Sequence, residues 1–478
     1  MKNYITFYAG SVWYLLNIED YNDFQENIFH TIYDTLITFQ SSDLIRELHV
    51  YYPRRKTLPK VIDLESLDKQ MSQKGKEVPE EKKKWKVLTR LHENNLIDSD
   101  FSLNKSSIKK FLEKVADWYK MLCVNKEEIK RFQNIELEIN KIIFNRQSQG
   151  VNIDMVLAEK KCSDIETRIY SIKNELQLSY NIFTPDAIET QKKYLTQKRY
   201  NIIKSYLYSF KIRRNHDPVC NLFYELMRNQ QDLDSLLYIL AHWGGNKKCY
   251  PSYVGFGSIT SRIILKQPSL QNLRKQNRNI ITAENGKKLL YIDYTQFEAG
   301  ILASLSGDKS LIRLYDSDIY MDFAKNVLKN EDRQGAKIYF YRYMYGDKTL
   351  EYSVLKYFNR YTKLKEFREL IEKEIKEKKK IGTVDGNFRL VLDENNSHWA
   401  LSHKIQATAS LIFKHALITV NKKVPDADFL IPMHDGAVYQ VDQFNYDISK
   451  DNIEKLYIDS FKKICPNISP RVHCQERF

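Results

Sequence analysis

Two short apolar runs, KKLLYID and FLIPMHD, each end in an aspartate, Asp293 and Asp435. Runs of this length read as buried strands. The first passes into a helix, TQFEAGILASLSGD; the second returns after a turn as AVYQV. Strand-end aspartates are common and often only cap the next helix or turn. On adjacent strands, however, two carboxylates can bring two divalent cations to about 3.5–4 Å from each other. That is the arrangement for in-line displacement at phosphorus: one ion lowers the pKa of an attacking hydroxyl, and both stabilise the developing charge.

Between these strands lies RQGAKIYFYRYMYG, in which Arg333, Lys337, Tyr341 and Tyr345 recur every four residues. Each step drifts by only about 40° around a helix, so the four form one slanting stripe. Two cations followed by two phenols make a phosphate clamp continued by a flat surface for a base. An amphipathic helix with core-facing tyrosines would not favour cations on that same stripe. The formal charge of +14 points the same way, to a polyanionic partner.

The 42% hydrophobic content is sufficient for packed cores, and the length suggests more than one domain. No apolar run reaches the roughly eighteen residues of a membrane span, and the opening reads as a strand or two, not a signal peptide. Six scattered cysteines without a CxxC pair suggest reduced thiols, an intracellular home and no structural zinc.

Along the chain, LIRELHVYYPRRKTLPKVIDLES reads as a strand, a turn at Pro53 and a second strand, and KGKEVPEEKKKWK as an exposed charged loop. From Asn134 the pattern is helical, closing at Gly150, and helix resumes with Ile165, Ile169, Ile172 and Leu176. Thr184-Pro185 reads as an N-cap and first helical position. Beyond it Lys192, Lys193, Lys198, Arg199, Lys204, Lys211, Arg213 and Arg214 lie among tyrosines, as suits gripping a duplex backbone. IGTVDGNFRL reads as a hairpin at Asp385-Gly386, followed by a helix near Ser402 to Val420.

The ordered set resembles family A DNA polymerases, the bacterial DNA polymerase I family. DYTQFE is similar to its motif A, RQGAKIYFYRYMYG to motif B and MHDG to motif C; TSR with PSLQNL, ELEINKIIFNRQSQGVNID and IQATASLIFKHA add to the match over residues 134–478. The resemblance implies an α+β right-hand fold, with an antiparallel palm sheet and helical fingers and thumb, preceded by a small α/β N-terminal domain over 1–133. It implies a thumb near 150–250, a palm near 251–310 and 381–478, and fingers near 311–380.

The resemblance also implies residue roles. Asp293, Asp435 and the Tyr294 carbonyl would hold two Mg²⁺ ions, with Mn²⁺ a substitute. Lys337 would contact the triphosphate and serve as general acid, and Arg333 would bind phosphates. Tyr341, Gln296 and Glu298 would line the nucleotide pocket, Glu298 pressing on the sugar 2′ position. Tyr345, Gly346, Arg262, Gln271, Asn272, Gln406 and His434 would meet the primer–template. Primer-dependent synthesis from dNTPs follows, with room for a separate processivity, helicase or exonuclease partner, and a bacterial cytoplasm, phage or mobile element as the setting.

Three departures stand out: Gly436 replaces the Glu that usually ends motif C, Tyr320 replaces a His, and Tyr341 replaces a Phe found in many members. DLES, Asp63 to Ser66, and Glu19-Asp20 resemble fragments of a 3′–5′ exonuclease, but lack convincing carboxylate partners. The N-terminal part is therefore expected to be a reduced exonuclease-like remnant or a partner-docking module, without proofreading. Two alternatives remain. A single-subunit RNA polymerase-like enzyme is disfavoured by Glu298, and a catalytically silent DNA-binding subunit by the retained aspartates and stripe.

Overall fold

The computed structural model describes residues 3–26, 34–51, 59–73, 85–241, 247–347, 349–393 and 397–476. It divides into two compact units, one comprising 1–149, 252–265 and 285–477, the other 150–251 and 266–284.

The first unit opens with a five-stranded sheet in the order Phe24–Glu26, Val12–Asn17, Asn3–Ala9, Thr35–Thr38, Lys60–Asp63. The first three strands pair antiparallel and the last two join in parallel. Helix Ile108–Leu122 packs on it through Phe111, Leu112, Val115 and Trp118, all buried in one apolar cluster with Ile5, Leu16 and Ile62. The segment expected as a strand at LIRELHVYY is instead helix Ser41–Tyr51. Leu44, Ile45 and Leu48 are buried, a spacing that fits one helix face and overrides the strand preference of the aromatic, β-branched run after it. Pro53 and residues 74–84 of the charged loop lie outside the described residues.

A second, fully antiparallel sheet follows the order Asp428–Pro432, Gly436–Asp442, Lys287–Tyr294, Val472–Gln475. Helix Tyr446–Ile464 packs on it: the Tyr294 hydroxyl donates to the Tyr457 carbonyl (2.8 Å), and the Tyr294 ring stacks on Phe297 at 4.3 Å. This aromatic core underlies the end of the strand that carries Asp293. Helix Ala400–Lys423 packs along Tyr446–Ile464, and the hairpin Lys380–Thr383/Gly386–Leu390 forms at the place read from Asp385-Gly386. The N-terminal part is bonded into this unit: Phe388 N donates to Glu128 Oε1 (2.8 Å), and Gln147 Nε2 to the Ser42 carbonyl (3.2 Å).

The second unit is helical, built on Met155–Tyr180 packed against Pro218–Ala241. Gly150, at φ +72, marks the end of helix Leu137–Gln149 as the sequence suggested. Helix Ile188–Gln197 begins later than expected, with Ala187 at its N-cap; Thr184-Pro185 forms the turn before it, the Ala187 amide donating to the Thr184 carbonyl. Several of the basic residues here lie over tyrosine rings: Lys198 over Tyr194, Lys204 over Tyr208, Arg213 over Tyr200 and Arg214 over Tyr224. Such contacts pre-order the side chains, and Arg213 is held further by donating to the Ser209 (2.7 Å) and Asn201 (3.0 Å) carbonyls.

Candidate active site

Antiparallel register brings the two aspartates together. Asp293 stands opposite Gly436, and the Tyr294 amide donates to the Asp435 carbonyl at 3.0 Å. The register needs a bare α-carbon: a Cβ at Gly436 would lie 1.9 Å from the Ile292 carbonyl oxygen and 2.6 Å from the Asp293 Cα. The absent third carboxylate is therefore also an absent Cβ, which allows the strands to close at this point.

Both carboxyls are pushed above the usual carboxylate range, chiefly by burial; the Asp435 charge adds to the shift at Asp293. His473 and Lys337 oppose it at Asp293, and Arg262, Lys337 and His434 at Asp435. Two partly desolvated oxygen donors that repel each other form a set suited to a hard divalent cation. The carbonyl of Tyr294 belongs to the same strand end. Among the described residues no three His, Cys, Asp or Glu side chains gather as a metal cluster.

The stripe lies on helix Arg333–Met344, whose N-terminus is capped by Asp332 accepting from Gly335 N at 2.9 Å. Arg333 and Lys337 lie 5.1 and 5.9 Å from the ring centre of Tyr320. Arg333 Nε also donates to Asp318 Oδ2 at 2.7 Å. Lys337 lies 5.7 Å from the Tyr341 ring, and Tyr341 and Tyr345 stack at 5.8 Å and 30°. Tyr345 falls one residue past the helix, half exposed, its hydroxyl accepting from Gln406 Nε2 at 2.9 Å. Gly346 follows at φ +71, where a Cβ would meet the His398 carbonyl oxygen at 2.6 Å.

Glu298 is buried and accepts from Arg262 at 2.7 Å through Oε1, while Oε2 has no hydrogen-bond donor. Burial drives its pKa to about 7 against the pull of Arg262. Gln296 departs from its expected role: its Oε1 accepts from Ile319 N (2.9 Å) and its Nε2 approaches the Tyr315 carbonyl (3.5 Å), so its amide is engaged at both ends in holding the next helices. His434 is exposed beside Asp435. Gln271 and Asn272 belong to the other unit, on the short helical turn Leu270–Asn272.

The exonuclease-like fragment Asp63 to Ser66 lies at the start of a helix. Asp63 caps helix Leu64–Ser72, accepting from Ser66 N (3.0 Å) and Oγ (2.6 Å), and Glu65 pairs with Lys69 one turn on. Sequence reasoning missed His473, opposite Asp293 in the register, and Asp318, the partner of Arg333. Asp318 opens the Asp-Ile-Tyr segment in which Tyr320 stands in for a His, whereas His473 sits in no patterned segment.

The sequence profile of DNA polymerase family A matches residues 141–465. Among curated relatives, DNA polymerase I of Aquifex aeolicus is 25% identical over 273 residues, covering 50% of this chain and 47% of the relative. DNA polymerase I of Caldicellulosiruptor bescii is 23% identical over 382 residues, covering 68% and 44%. The chain thus spans about half the length of the curated relatives it matches. Among solved structures, the POL domain of Pol1 from M. smegmatis, in complex with DNA primer-template and dNTP, superposes with a TM-score of 0.77. That match has 14% identity and covers 99% of this chain and 95% of that one.

Proposed function

The chain belongs to DNA polymerase family A, and from that premise we propose that it extends a primer on a DNA template using dNTPs, without proofreading. The observation that carries this reading is the convergence of Asp293, Asp435 and Lys337: the Asp435 charge acts on Asp293, and the Lys337 charge acts on both carboxyls. Held by Asp293, Asp435 and the Tyr294 carbonyl, two Mg²⁺ ions, or Mn²⁺ in their place, would supply Lewis-acid charge at the attacking and departing oxygens.

The remaining work falls to side chains. Lys337 binds the triphosphate and holds a proton at Nζ for the departing pyrophosphate oxygen. Arg333 exchanges Asp318 for a phosphate, to which its planar fork is better matched than a lysine would be. The Tyr341–Tyr345 stack receives the base, with Gln406 steadying Tyr345 at the template side. The Tyr341 phenol can offer a hydrogen bond to a nucleotide that lacks its 3′ hydroxyl, so dideoxynucleotides are rejected weakly; strong rejection in a termination assay would overturn that. Arg262, Gln271, Asn272 and His434 meet the duplex, the helical unit serves as thumb, and the helices between Lys309 and Lys378 as fingers. The N-terminal sheet is a reduced exonuclease-like remnant or docking module.

Primer extension with Mg²⁺ and dNTPs tests the whole. Wild type should extend a primed template, and Asp435→Ala and excess chelator should each abolish extension. Absence of templated extension by wild type removes the enzyme reading and leaves a DNA-binding subunit. Preference for rNTPs without a primer would favour the RNA polymerase alternative.

A further inference from the structure

Ser261, immediately before Arg262, is fully buried and holds φ +62, a left-handed conformation that a residue with a Cβ adopts at a cost. Its surroundings account for the exception. The Ser261 hydroxyl donates to Glu136 Oε1 at 2.9 Å and accepts from Arg131 at 3.2 Å and from Lys414 Nζ. Its carbonyl accepts from Ser410 Oγ at 2.6 Å. Lys414 also donates to Glu136 Oε2 (2.5 Å) and to the Gly255 carbonyl (3.0 Å).

Two cations and one anion, all buried, converge on one serine. Such a cluster is a poor way to gain stability, because desolvation of the charges offsets their attraction; its strength is geometric definition. The geometry it defines is local. The Ser261 amide donates to the Ser258 carbonyl (2.8 Å), Gly257 N to the Arg262 carbonyl (2.9 Å), and Arg262 N to Ser258 Oγ (3.2 Å). The side chain leaving this loop is the guanidinium that meets Glu298 at 2.7 Å.

We propose that Arg131, Glu136 and Lys414, acting through the Ser261 hydroxyl, are positioning residues for the Arg262–Glu298 pair and so set how strictly the nucleotide pocket excludes a ribose. The proposal rests on the polymerase reading above. None of the three charged residues touches the nucleotide; they act by fixing the backbone from which Arg262 reaches the carboxylate.

Ser261→Gly and Ser261→Ala test it together, because glycine removes the hydroxyl while relieving the backbone and alanine removes it while keeping the strain. Both should lower dNTP-over-rNTP selectivity by about tenfold. Amide exchange over residues 257–262 should accelerate in both, and Lys414→Met should reproduce the pattern. A merely structural role predicts that Ser261→Gly matches wild type in both readouts. Unchanged exchange in the variants overturns the proposal whether or not the chain polymerises. Unchanged selectivity in variants of an active wild type overturns it as well. A wild type that does not extend primers removes the polymerase reading, and the exchange result then decides the clamp alone.

Discussion

At Gly436 two strands approach more closely than any side chain would permit. Placing a methyl there requires the Ile292 carbonyl or the Asp293 backbone to move, and Asp293 is a proposed metal ligand. Gly436→Ala is therefore expected to reduce templated incorporation by roughly a hundredfold, the scale of a displacement of about 1 Å in a reacting group. Far-UV circular dichroism of the same sample distinguishes this from unfolding. Gly436→Glu, which rebuilds the usual motif, should be no better; near-wild-type extension by that variant would refute the close-approach argument. The Glu298 side chain fills space beside Arg262, so Glu298→Ala should relax ribose exclusion by roughly 10- to 200-fold in competitive dNTP/rNTP incorporation. Unaltered discrimination would mean that another group guards the 2′ position.

Single elements behave according to their caps and buried polar atoms. His403 lies inside helix Ala400–Lys423, its Nε2 donating to the Asn387 carbonyl at 3.1 Å, and burial depresses its pKa to about 4. The folded chain thus resists a proton that the unfolded chain accepts near pH 6.5. Stability should fall as pH drops from about 6.5 toward 4, by up to roughly 3 kcal/mol from this one group. Urea unfolding at pH 7.5 and 5 should show a smaller acid loss for His403→Gln than for wild type; equal losses would remove His403 from the account. How far the elements could be read beforehand follows from the range of the forces that make them. The strands ending at Asp293 and Asp435, the hairpin at Asp385-Gly386 and the Arg333–Lys337–Tyr341 stripe are set by local pattern and were legible. Helix Ser41–Tyr51 is not legible in this way, because Val50 and Tyr51 carry strand propensity while the helical spacing rests on Leu44, Ile45 and Leu48 alone. The Ser261 clamp was beyond reach: Glu136 and Lys414 are 278 residues apart, and nothing in either segment names the other.

At the scale of the molecule, the net charge of +14 and the cations over tyrosines anticipate binding dominated by phosphate contacts. Affinity for primed DNA should fall by roughly 10³ or more between 50 and 200 mM salt; a flat salt dependence in fluorescence anisotropy would contradict it. The first 149 residues belong to the same compact unit as both aspartates. A chain beginning at residue 134 loses Arg131 and the Glu128–Phe388 bond, leaving Glu136 with one cation in place of two. Breaking a buried pair of this kind costs about 3–5 kcal/mol, so the shortened chain should melt well below the full one. Equal melting temperatures would show the N-terminal part to be dispensable. The Glu136–Lys414 contact also has a consequence in time. A ribosome adding about 5–20 residues per second completes Glu136 some 14 to 56 s before its lysine exists. For that interval the nascent chain carries a carboxylate meant for the interior with only Arg131 to answer it, so this part of the core can close only after translation has passed helix Ala400–Lys423.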